Sequence, residues 1–65
     1  MPLFRKYKFQ IYRDLPGEWR FRLLAPNGKI IADSGESYTT KRACVRNIRK
    51  IQKKAGEALI VEKTD

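Results

Sequence analysis

Histidine is absent from this chain of 65 residues, and cysteine occurs once, at Cys44. A disulfide within the chain is therefore excluded. So is a zinc site built from Cys and His of one copy, because structural zinc takes four such ligands. Without histidine, the usual general base at neutral pH is missing, and a lone thiol has no imidazole to activate it. The 4 glycines include no phosphate-cradling loop: Pro26-Asn27-Gly28 reads as a turn. No triad and no carboxylate pair of clear geometry stands out. Long apolar runs are missing too. The longest aliphatic stretch, Ala58-Leu59-Ile60-Val61, is far too short to span a bilayer. Met1-Pro2-Leu3-Phe4 runs straight into Arg5 and Lys6, with no apolar segment of the kind a secretory leader carries. These absences predict a protein that is not an enzyme and takes no cofactor or metal. They point to a cytoplasmic location with a reduced thiol.

Acidic residues are the next scarcity: 7 Asp and Glu stand against 15 Lys and Arg, a formal charge of +8. So basic a chain favours an anionic partner such as nucleic acid, although net charge also serves solubility. Its length fits one domain, spanning 1–65, that buries only about 60% of the surface its unfolded form exposes. With no disulfide or metal to add stability, self-association is the remaining route, and a homodimer is expected.

What is present is organised around residues 17–35. Trp19, Phe21 and Leu23 alternate with Glu18, Arg20 and Arg22, the period of two of a strand with one buried face. Pro26-Asn27-Gly28 is the turn, with Asn-Gly suited to positive φ, and the return strand follows. Upstream, Tyr7, Phe9 and Ile11 alternate with Lys6, Lys8, Gln10 and Tyr12, and Asp14-Leu15-Pro16-Gly17 is a second turn. Strands are expected over about 7–13, 18–25 and 29–34, as an antiparallel meander. Either Ile30 and Ala32, or Ile31, face the core, the doubled isoleucine leaving the register open. A loose basic lead is expected over 1–6.

Thr40 is a suitable N-cap for a helix over about 41–55, with Gly56 as its stop. Cys44, Val45, Ile48, Ile51 and Ala55 form an apolar stripe about 120° wide at 100° per residue. Ala58 to Val61 is enough for a short fourth strand over 58–62, paired with its own sheet or with a partner chain's. The expected class is α+β: a three-stranded antiparallel meander packed on one C-terminal helix, β-β-β-α.

The segment Phe9-x-Ile11-Tyr12-x-Asp14-x-x-Gly17-Glu18-Trp19-Arg20-Phe21-Arg22-Leu23 resembles the opening of the YegP-like proteins. So do Ala25-x-Asn27-Gly28-Lys29-Ile30-Ile31-Ala32-x-Ser34 and Tyr38-x-Thr40-Lys41. The similarity covers about 8–62. These are small bacterial and archaeal proteins carrying a domain of unknown function. The resemblance implies a small α+β unit, found in tandem in some members and expected to pair as dimers where it occurs singly. It brings no catalytic residues. Family helices typically mix acidic and basic residues, and this one carries no acid.

That helix surface is the sharpest functional clue. Arg42, Arg46, Arg49, Lys50, Lys53 and Lys54 fall within about 140° of arc, opposite the apolar stripe. The pairs 42/46, 46/50, 50/54 and 49/53 are like-charge neighbours, each costing about 0.2–0.5 kcal/mol. A small domain that tolerates this repulsion is expected to present the face to nucleic acid or another polyanion. A protein-interaction or regulatory module docking an acidic protein through the same face is the alternative. A dimer whose charge is incidental is a third reading. The open sheet face, with Lys8, Tyr12, Arg20 and Arg22, is a second candidate surface or the dimer face. Tyr7, Phe9, Trp19 and Phe21 are assigned to the core rather than to base stacking, Tyr12 is the aromatic left free, and Cys44 is a buried structural thiol.

Overall fold

The computed structural model describes residues 6–64, so most of the basic lead lies outside the described residues. Three strands, β1 (Lys8–Arg13), β2 (Trp19–Leu24) and β3 (Ile30–Asp33), form an antiparallel sheet in the order β1-β2-β3. The helix α1 (Lys41–Lys54) follows, and a single 3-10 turn, Ala55–Glu57, closes it. The meander and its helix are therefore those the sequence predicts, each element trimmed by about a residue at its ends.

Both hairpin turns obtain their direction from one glycine. Gly17 and Gly28 have φ of 91° and 90°, and no other described residue has positive φ. Asn27 thus does not take the left-handed conformation that the Asn-Gly pair suggests. Its side-chain oxygen instead accepts the Lys29 amide at 3.0 Å, while the Gly28 amide donates to the Ala25 carbonyl at 2.8 Å. This is a three-residue hairpin loop with glycine at the left-handed position. A Cβ at Gly28 would meet no atom within 4 Å, so a substitution there is strained by its backbone alone. Gly28→Ala is expected to destabilise the fold by about 1–2 kcal/mol, measured by urea unfolding, with native structure otherwise kept.

The first turn is tied by Asp14. Its Oδ1 accepts the Glu18 amide at 2.8 Å, and its Oδ2 pairs with Arg20 Nε at 2.9 Å. The Arg20 hydrogen bond, helped by the turn amides, holds the Asp14 carboxyl below the ordinary value of 3.8. A lowered carboxylate pKa adds stability above the ordinary value, and that stability is lost as pH falls through the folded-state value. Thermal melting is expected to drop as pH falls below about 4, and Asp14→Asn to flatten that part of the profile.

The register pairs Phe9 with Leu23 and Ile11 with Phe21, which puts these side chains on one face with Trp19. A bulge between Leu23 and Leu24 resolves the doubled isoleucine. Ala32 lies opposite Leu23, Ile30 lies opposite Leu24, and Ile31 is the extra residue. Ile30 and Ile31 are both more than half exposed, so neither is core. Beyond β3 the chain returns to the sheet at Tyr38, which exchanges two backbone hydrogen bonds with Trp19 at 2.7 and 2.8 Å. This contact fixes where α1 starts.

Phe21, Cys44 and Ile48 are the buried apolar core, with Phe9, Ile11, Trp19, Tyr38 and Ile51 packed around them. Buried Ser34 ties β3 to it: its amide donates to the Phe21 carbonyl at 2.9 Å, and its Oγ accepts the Phe21 amide at 3.3 Å. Four expectations are corrected here. Tyr7 is 64% exposed rather than core, because it lies before the first paired residue. Ala55 is exposed, since the helix has passed the sheet by that point. Gly56 has no positive φ, and the chain leaves α1 through the 3-10 turn instead of a glycine stop. After the turn, 58–64 is without regular structure, so the fourth strand expected over 58–62 is not formed in a single copy. Among the described residues no helix is long and apolar enough to cross a membrane.

Candidate polyanion interface on the helix

Thr40 caps α1, its Oγ1 accepting the Ala43 amide at 3.1 Å, although Ala43 offers no reciprocal capping side chain. Cys44 and Ile48 anchor the helix on Phe21. That contact sets the rotation of α1 and turns Arg42, Arg46, Arg49, Lys50, Lys53 and Lys54 outward. All six are exposed, and among the described residues none makes an ion pair or hydrogen bond through its side chain. The first turn contains no acid, and Lys53 and Lys54 lie in the last, where the negative end of the helix dipole favours them. From Arg42 to Lys54 the row runs about 18 Å along the axis.

Two shallow grooves cross this face. Lys41, Arg42, Val45, Arg46 and Arg49 line one, and Arg46, Arg49, Lys50 and Lys53 the other. Val45 provides a partly exposed apolar floor to the first. Lys41 itself is drawn toward the sheet: its Nζ lies 5.9 Å from the Trp19 ring centroid, and Arg13 Cζ lies 5.0 Å from the same centroid. The indole thus has two cations near its ring, a pairing that strand alternation alone does not reveal.

The second candidate surface is differently placed. Lys8 is exposed, but Arg20 is engaged by Asp14, and Arg22 Cζ lies 4.0 Å from the Tyr12 ring centroid. Tyr12 is therefore covered, not the free aromatic. Two of this face's cations have partners, which leaves the helix as the surface with its charge unspent.

A cleft of ≈ 470 Å³ between the sheet and the far half of α1 is lined by Phe9, Leu23, Ala32, Tyr38, Asn47 and Ile51, among others. Little in the residue pattern points to it, because the helical stripe continues to Ala55 without showing that the helix leaves the sheet. Tyr38 stacks on Phe21 with centroids 6.5 Å apart, and burial pushes its hydroxyl pKa up. Burial likewise pushes the Cys44 thiol up, so it stays protonated and unreactive at neutral pH. Among the described residues, no group of three or more His, Cys, Asp or Glu is gathered as a metal site would need.

A family model, Domain of unknown function (DUF1508), matches residues 14–62. A UPF0339 protein of Treponema denticola is 46% identical over 55 residues, covering 85% of this chain and 93% of that one. A UPF0339 protein of Methanosarcina acetivorans is 41% identical over 54 residues, covering 83% and 91%. The NMR solution structure of a protein from Haloferax volcanii superposes with a TM-score of 0.84 at 34% identity, covering 91% of this chain and 98% of that one. With the meander, the capped helix and these relatives in agreement, the chain belongs to the DUF1508 family, the YegP-like proteins.

Proposed function

We propose that this protein is a small non-enzymatic binding module whose α1 face contacts nucleic acid through Arg42, Arg46, Arg49, Lys50, Lys53 and Lys54. The observation that carries this reading is that six exposed cations share one helix face with no acid among them and, among the described residues, no partner of their own. Phosphates of one duplex strand recur about every 3.4 Å, so a row about 18 Å long passes roughly five of them. Such contacts supply affinity and orientation without reading sequence. The major groove, about 12 Å wide, also admits a helix.

Fluorescence anisotropy of a labelled 20-base-pair duplex with nuclease-treated protein at about 50 mM salt tests the proposal. Saturable binding, competed by unlabelled duplexes of unrelated sequence, is expected. Absence of binding at that salt overturns it, and the face is then to be tested against acidic proteins.

A further inference from the structure

The cleft between the sheet and the far half of α1 is where this basic chain turns acidic. Its lining includes Asp33 and Glu36 but no lysine or arginine, although the chain holds 15 basic residues. Asp33 lies opposite Arg22 in the sheet register, so Glu36 is the carboxylate left to the cleft. Glu36 is exposed, and among the described residues its side chain makes no ion pair or hydrogen bond. Asp14, by contrast, is held by Arg20, and Glu18 accepts the Ser37 hydroxyl at 2.6 Å.

The walls of the cleft are apolar. Phe9 lies opposite Leu23 and Leu23 opposite Ala32, so the three side chains stand side by side on the helix side of the sheet. Ile51 of α1 lines the cleft with them. Ala32 stays exposed and Leu23 only partly buried, because nothing in the chain covers this end of the sheet. Tyr38 and Asn47 supply polar groups beside Glu36. Burial and the nearby Glu36 carboxylate push the Tyr38 hydroxyl pKa up, which keeps it protonated at neutral pH.

We infer that this cleft binds a small organic ammonium ion, its apolar body on Phe9, Leu23, Ala32 and Ile51 and its charged end at Glu36. The Tyr38 and Asn47 side-chain oxygens are further acceptors for its N–H groups. Three arguments select this class. A volume of ≈ 470 Å³, with mostly apolar walls and a few polar groups at one side, is that of a small-molecule cleft. Its charge is negative, so it repels the anions that α1 collects, and an ammonium gains a charge-assisted hydrogen bond to Glu36. The faces of Phe9 and Tyr38 also attract a cation. A bare metal ion does not fit, since one free carboxylate cannot replace its hydration and the apolar walls offer it nothing. The site is separate from the polyanion face: Asn47 and Ile51 belong to α1, but none of the six outward cations lines the cleft.

Titration of ¹⁵N-labelled protein with 2-phenylethylammonium chloride at constant ionic strength, followed by amide chemical shifts, tests this. Saturable shifts are expected at Gly35, Glu36, Asn47 and Ile51, with a dissociation constant of about 1–10 mM, as suits so small a probe. Glu36→Gln, at an exposed position, is expected to weaken binding about threefold while circular dichroism still reports a folded chain. The neutral isostere 2-phenylethanol is expected to bind more weakly than the ammonium by a similar factor. Absence of saturable shifts at these amides up to about 10 mM overturns the inference. Equal affinity for the alcohol, or indifference to Glu36→Gln, overturns the ammonium class. Movement of the same resonances when the protein is diluted without amine would show a second copy in the cleft, and also overturns it. Neither the probe nor Glu36→Gln touches the six cations of α1, so each outcome leaves the nucleic-acid reading to its own test.

Discussion

Phe21→Ala is expected to leave little or no folded protein at 25 °C. The ring is the centre of a core with, among the described residues, only two other buried apolar residues, Cys44 and Ile48. Phe9 meets it edge-on at 5.9 Å, Tyr38 stacks at 6.5 Å, and Ser34 holds both its backbone groups. Truncating a buried phenylalanine to alanine costs about 3–5 kcal/mol. The whole stability of a domain of this length is about 3–10 kcal/mol. Each kcal/mol moves the melting point by about 4–8 °C at this size, so a fall of at least 12 °C, or no cooperative transition, is expected by circular dichroism. A melting point within a few degrees of wild type would show that the core lies elsewhere.

The triple variant Arg46→Glu, Lys50→Glu, Lys53→Glu is expected to reduce affinity for duplex DNA at least about a hundredfold at 50 mM salt, without lowering the melting point. Each phosphate contact is worth roughly tenfold at that salt, and three of six are reversed. The same change converts the repulsive neighbours 42/46, 50/54 and 49/53 into opposite-charge pairs, each favourable by about 0.2–0.5 kcal/mol. Loss of binding with retained or raised stability marks a face kept basic at the expense of the fold. If binding and melting fell together, the face would have a structural role.

The hairpins, the N-cap and the helical stripe were legible because each is written locally. Alternation at Trp19, Phe21 and Leu23, glycine at 17 and 28, and Thr40 before an amphipathic run each act within a few residues of themselves. What escaped depends on residues far apart in the chain. The Trp19–Tyr38 pairing and the Ser34 contacts join β2 to the segment after β3, and no periodicity announces them. Tyr12 looked free because strand alternation says nothing of a diagonal neighbour, here Arg22. The fourth strand was read from composition alone, and in a single copy residues 58–64 have no regular structure. The six basic residues were legible as a face because their rotation follows from Cys44 and Ile48, which the stripe identifies.

The dependence of duplex affinity on salt tests the central claim most directly. With all six cations on phosphates, log affinity is expected to fall linearly with log salt at a slope near −5. That is about a thousandfold loss between 50 and 200 mM. A slope near zero, or no measurable affinity at 50 mM, would contradict the assignment of the α1 face to nucleic acid.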